Sequence, residues 1–183
     1  MWVRTIARFR RLLITLPALG GGVVEIGPGE YLMRDSLHMR GHITLRGSGE
    51  TTVLKKDASS YSLLAADGDF GEEAVTLQRR EGFEVGRGVY VGSKTARGFF
   101  GICATLLNQK DNYFRISRPL NADCMMAAEA FAATVFPVIS AYDAEDFHIE
   151  NVTIDGNRAQ NETMIDGCRG AGIFFYRGDG AEI

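Results

Sequence analysis

Residues 155 to 169 read DGNRAQNETMIDGCR, the densest gathering of carboxylate, amide and guanidinium side chains in the chain. Two chemistries use such a set. Glycoside hydrolysis needs two carboxyl groups about 5 to 9.5 Å apart, one as acid and one as nucleophile or base. Asp155 and Asp166 form that pair only if the loop between them folds back. β-Elimination of a uronic acid needs a base near the proton α to the carboxylate and a cation on the carboxylate, commonly Ca2+ held by oxygen ligands. In that scheme Asp155 and Asp166 hold the metal, and Arg158 or Arg169 is base or carboxylate clamp. An arginine base is demanding, because its pKa keeps it protonated. Asn157 and Asn161 supply amides for sugar hydroxyls. A plainer role competes with all of this. Asp-Gly-Asn after a strand is what a turn requires, since Asp and Asn bond their own backbone and glycine tolerates positive φ.

The elements that must position these residues are strands. In VTID, Val152 and Ile154 point one way and Thr153 and Asp155 the other, so this strand has an inside and an outside. VVEI from 23, YLM from 31, HITLRG from 42 and TVLK from 52 are strand-type runs separated by GPGE and GSGE, with gaps too short for helices. HITLRGSG and NVTIDGN run alike from alternating apolar residues into a glycine turn. Spacings of about 20 residues, Val24 to Ile43 and Val152 to Ile173, match one turn of a solenoid.

Asp57 to Glu145 has a different texture. GFEVGRGVYVGS, ATLLNQKDNYFRIS and FPVIS read as strands of a small separate β unit, and DCMMAAEAFAATV is ambiguous between helix and strand. Phe99, Phe100, Tyr113 and Phe114 are either a sugar-stacking platform or core residues of that unit. At the N-terminus, arginines interleaved with Ile6, Phe9, Leu12, Leu13 and Leu16 predict an amphipathic capping helix rather than a secretory leader. Pro17 and the glycines from 20 to 22 end it.

Composition excludes several classes. The 45% apolar fraction is that of a chain able to bury a core, and 22 glycines against 4 prolines favour tight turns between short strands. A net charge of -3 with dispersed Lys and Arg speaks against nucleic acid. No apolar run is long enough for a bilayer-crossing helix. Cys103, Cys124 and Cys168 lack metal-site spacing and read as small buried hydrophobes. His38, His42 and His148 are scattered in sequence and read as surface or loop residues.

LPALGGGVVEIGPGEYLM, HITLRGSGETTVLKK and FHIENVTIDGNRAQN together resemble the start of pectin-lyase-like right-handed parallel β-helix proteins. The resemblance implies an all-β, right-handed parallel β-helix with an N-terminal capping helix and a small β insertion. Residues 1–56 would form the helix and first coils, 57–145 the insert, and 146–183 further coils continuing past Ile183. It also implies a polysaccharide ligand, lyase or glycoside hydrolase chemistry with Ca2+ as the possible cofactor, and a secreted or cell-surface location. The Asp-Asp, Gly-His-Gly and Arg-Ile-Lys signatures of polygalacturonase-like hydrolases are absent from this stretch. The alternative is a non-catalytic structural or adhesive module, which would self-associate through an open C-terminal coil.

Overall fold

A computed structural model describes residues 7–161, 165 and 168–183. In chain order it contains helix α1 (Ala7–Thr15), then strands β1 (Gly22–Glu25), β2 (Gly29–Met33), β3 (Leu37–Met39) and β4 (Ile43–Lys56). There follow β5 (Tyr61–Leu63), β6 (Ala74–Thr76), β7 (Gly88–Gly92), β8 (Ile102–Lys110), β9 (Tyr113–Ile116) and β10 (Phe131–Ala133). The last are β11 (Ile139–Tyr142), β12 (His148–Asp155) and β13 (Ile173–Tyr176). The described residues are thus all-β apart from one short α-helix and single turns of 3-10 helix. Two compact units divide the chain: one takes it up to Lys56 with Pro137–Gly156 and Gly172–Ile183, the other Asp57–Phe136 with Asn157–Ala171.

In the first unit every strand pair is parallel. One sheet runs β1-β4-β12 with β2 also on β4, and another runs β13-β11-β3. Side chains alternate in and out, and the inward ones meet their equivalents on the neighbouring strand. Val24, Leu45 and Ile149 fall in register across the first sheet, as do Tyr31, Leu54 and Ile154. Leu37, Ile139 and Ile173 do the same in the second. Val24, Leu45 and Leu37 are each 1% exposed or less, and burying such a side chain contributes about 1.5 to 3 kcal/mol. Helix α1 buries Leu13 and sets Phe9 edge-on to Tyr31 at 5.8 Å. The exit turn follows, with Gly20 at φ +92 and the Gly21 N–H donating to the Leu16 carbonyl at 3.0 Å.

The register differs from the sequence alignment in an instructive way. The strand at Ile43 pairs with the one at Val152, but their glycine turns, at Gly47 and Gly156, are not opposite each other. Leu45 faces Ile149, and Thr153, Ile154 and Asp155 face Val53, Leu54 and Lys55. Both β4 and β12 are long strands interrupted in mid-course, with a register shift between Glu150 and Thr153 that leaves Asn151 at φ +54. Likewise Ile173 pairs with Ile139 rather than continuing from Val152. The GSGE turn lies inside β4, whereas GPGE separates β1 from β2 and DGN starts at the end of β12.

The second unit is a six-stranded antiparallel sheet in the order β5-β10-β7-β8-β9-β6. Its core gathers Leu77, Val89, Val91, Leu106, Phe114 and Ile116. The ambiguous alanine-rich segment forms one 3-10 turn (Met126–Ala128) and then β10, hydrogen-bonded on both sides by β5 and β7. Two strand partners outweigh the helical preference of alanine there. Cys103 and Cys124 are buried, and burial, with Asp123 nearby, pushes the Cys124 thiol up to about 11.

Candidate functional site

The outward positions of the β1-β4-β12 sheet bring the most chemistry together. With Val24, Leu45 and Ile149 inward, their neighbours must point out. This places Glu25, Arg46 and Glu150 in one lateral row and Val23, Thr44 and His148 in the next. The Arg46 Nε donates to Glu150 Oε2 at 2.7 Å, and its Nη1 lies 3.8 Å from Glu25 Oε1. The bond to Glu150 raises the Arg46 pKa further, so this guanidinium is a fixed cation and not a base.

At the corner leading into β12 stands a chain of four titratable groups. His42 Nδ1 is 3.2 Å from Asp146 Oδ2, Asp146 Oδ1 is 3.4 Å from His148 Nε2, and His148 Nδ1 is 3.1 Å from Glu182 Oε2. The bridges Glu145 to Asp179 and His148 to Glu182 carry the parallel pairing on to the last residues of the chain. The hydrogen bonds from His42 and then His148 hold the Asp146 carboxyl below its ordinary value of 3.8. The bond to Asp146, helped by Glu182, raises His148 above 6.5. The pairs therefore contribute their full share of stability between these two ordinary values. The His148 share is lost as pH rises through its raised pKa, and the Asp146 share as pH falls through its depressed one. An NMR titration should show the His148 imidazole titrating above 6.5, with Asp146→Asn and Glu182→Gln each lowering it. An imidazole indifferent to Asp146→Asn contradicts this geometry.

The β3-β11 pair offers a second arrangement. Ser140 Oγ is 2.8 Å from His38 Nδ1, and His38 Nε2 is 3.5 Å from Asp35 Oδ2. This has the members of a Ser-His-Asp triad, but Ser140 is only 1% exposed. A nucleophile must reach its substrate, so the series is a lateral polar row that satisfies buried groups.

Of the residues singled out in the sequence, Asp155 ends β12 in the first unit, with Lys55 Nζ at 3.7 Å. Asn157, Arg158, Asn161 and Arg169 belong to the second unit. Asn157 takes φ +46 and its Nδ2 donates to Gln160 Oε1 at 3.0 Å. Asn161 Nδ2 donates to the Asn157 carbonyl at 2.9 Å, so these two amides hold the turn together. Arg158 is exposed, and Arg169 Nη2 donates to the Phe99 carbonyl at 3.3 Å. Asp166 lies outside the described residues. Asp155 faces a lysine, and among the described residues no three His, Cys, Asp or Glu side chains converge to hold a metal. Among them also, no helix is long and apolar enough to cross a membrane.

The aromatic quartet splits. Phe114 is 0% exposed, whereas Tyr113, Phe99 and Phe100 are exposed. Tyr113 lines an open groove of about 280 Å³ in the second unit together with Asp67, Glu72 and Glu73. Sequence reading missed the His42, Asp146, His148 and Glu182 corner. His42 and Asp146 are 104 residues apart, and only the register of Thr44 on His148 reveals that they stack.

No protein-family model matches the chain, and no curated protein does. Solved structures that align with it include three phage tailspikes. That of Pseudomonas phage phi297 is 11% identical over 75% of this chain and 30% of its own, with a TM-score of 0.39. The tailspike of Acinetobacter baumannii bacteriophage AP22, in complex with A. baumannii capsular saccharide, is 10% identical over 83% of this chain and 30% of its own, with a TM-score of 0.37. That of Pseudomonas phage LKA1 is 15% identical over 91% of this chain and 33% of its own, with a TM-score of 0.34. The chain spans about a third of the length of these tailspikes.

Proposed function

We propose that the first unit is the beginning of a pectin-lyase-like right-handed parallel β-helix and that the protein binds, or binds and degrades, a polysaccharide. One observation carries this reading. Parallel pairing sets outward side chains such as Glu25, Arg46 and Glu150 in lateral rows. Neighbouring strands lie about 4.8 Å apart, so donors and acceptors recur at a short regular step along which an extended sugar chain can lie. Lyase or glycoside hydrolase chemistry is the type such a scaffold would host, with Glu150, Asp146 and His148 as the groups at hand. On this reading the protein acts outside the cell or on a cell surface. Affinity electrophoresis through gels holding single polysaccharides, paired with an assay for new reducing or unsaturated ends, tests it. Retardation by at least one polymer is expected, and free migration through all of them contradicts the proposal.

A second, non-catalytic reading as an assembly module is favoured by β13, an edge strand among the described residues on which Phe175 and Tyr176 are 45% and 50% exposed. It predicts concentration-dependent sedimentation that Phe175→Ser reduces.

A further inference from the structure

We infer that the saccharide recognised on the outward rows of the first unit is uncharged, not a polyuronate. This rests on the polysaccharide reading above and narrows it, against the uronic acid that β-elimination would require.

The argument is one of charge already spent. Arg46 sits between two carboxylates, at 2.7 Å from Glu150 and 3.8 Å from Glu25. His148 likewise sits between Asp146 and Glu182, and Asp146 also meets His42. Lys55 faces Asp155, and Arg177 Nε lies 2.7 Å from Asp143 Oδ1. Within these rows the carboxylates equal or outnumber the cations. To clamp a uronate, Arg46 would have to receive the sugar carboxylate beside two others, Glu150 and Glu25. Like charges at 4 Å repel by about 1 kcal/mol in bulk water and about 4 kcal/mol at the effective dielectric of a protein surface. A polyuronate crossing the Glu25, Arg46 and Glu150 row meets that repulsion.

An uncharged chain does not. Ionised carboxylates are acceptors only and each can take several hydroxyl donors, while the Arg46 donors left over suit ring and hydroxyl oxygens. Hydrogen bonds to ionised groups are the stronger kind. Calcium could reverse the sign by bridging protein and uronate carboxylates, but it requires 6 to 8 oxygen ligands. These carboxylates are held apart by their own cations, and none of the described ones join in a metal-holding group.

The test is a glycan array carrying uncharged glucans, mannans, xylans and galactans beside polygalacturonate and alginate. It is probed with the full chain in EDTA and again in calcium, at low and at physiological salt. Retention on an uncharged glycan is expected, nearly independent of salt and calcium. Glu150→Gln should weaken it about tenfold, the size of one charge-assisted hydrogen bond, without changing the thermal unfolding midpoint. Retention on a polyuronate, with or without calcium, overturns the inference while leaving the polysaccharide reading standing. So does uncharged-glycan retention that Glu150→Gln leaves intact. If no spot retains the protein, the polysaccharide reading falls and the inference falls with it.

Discussion

Phe114→Ala is expected to destabilise the second unit by about 3 to 5 kcal/mol, the usual cost of emptying a fully buried phenylalanine site. Phe114 lies on β9 between β6 and β8, is 0% exposed, and packs against Phe83 with centroids 6.4 Å apart. The neighbours that close around it belong to a hydrogen-bonded sheet, which limits collapse into the space left. Its partner in the sequence motif behaves oppositely. Phe99 is 74% exposed, and Phe99→Ala should change stability by no more than about 0.5 kcal/mol. Urea unfolding followed by circular dichroism, with hydrogen exchange at the amides of β8 and β9, measures both. Equal costs for the two substitutions contradict the placement of β9.

Gly47→Ala carries the largest expected effect in the first unit. An added Cβ would stand 2.3 Å from the Asn151 carbonyl oxygen and 2.7 Å from Val152 Cγ1. The nearer atom is backbone, on the strand that stacks against β4, so it cannot swing away as a long side chain would. Overpacking of this kind costs about 1 to 3 kcal/mol and at times more. Gly156→Ala is the matched control, since nothing lies within 4 Å of its Cβ position. It should be neutral or slightly stabilising through reduced freedom of the unfolded chain. Thermal unfolding midpoints separate the two. If both variants melt alike, β4 and β12 do not approach each other as described.

Local chemistry made much of the fold legible. The helix ending near Pro17, the left-handed Gly20 and the strands around GPGE follow from periodicity and turn residues, which act over a few positions. The register was not legible. Glycine turns at 47 and 156 look equivalent in sequence, yet Leu45 stacks on Ile149 and Leu54 on Ile154. Inward alternation allows several parallel offsets, and choosing among them takes the whole set of apolar columns. The site suffered from the same blindness. DGN at 155 drew attention because its polar residues are contiguous, and Asn157 and Asn161 spend their amides on the turn. His42, Asp146, His148 and Glu182 are strung along the chain and converge only when the parallel strands are laid side by side. Phe114 and Tyr113, adjacent in sequence, part company because a strand sends successive side chains to opposite faces.

The most direct measurement locates the bound sugar. The isotope-labelled full chain would be titrated with an oligosaccharide of the uncharged glycan retained on the array, and its amide shifts followed by NMR. Binding along the parallel outward rows predicts that shifts concentrate at Thr44, Arg46, His148 and Glu150. Shifts confined to Asp57–Phe136, or none at saturating oligosaccharide, would contradict it.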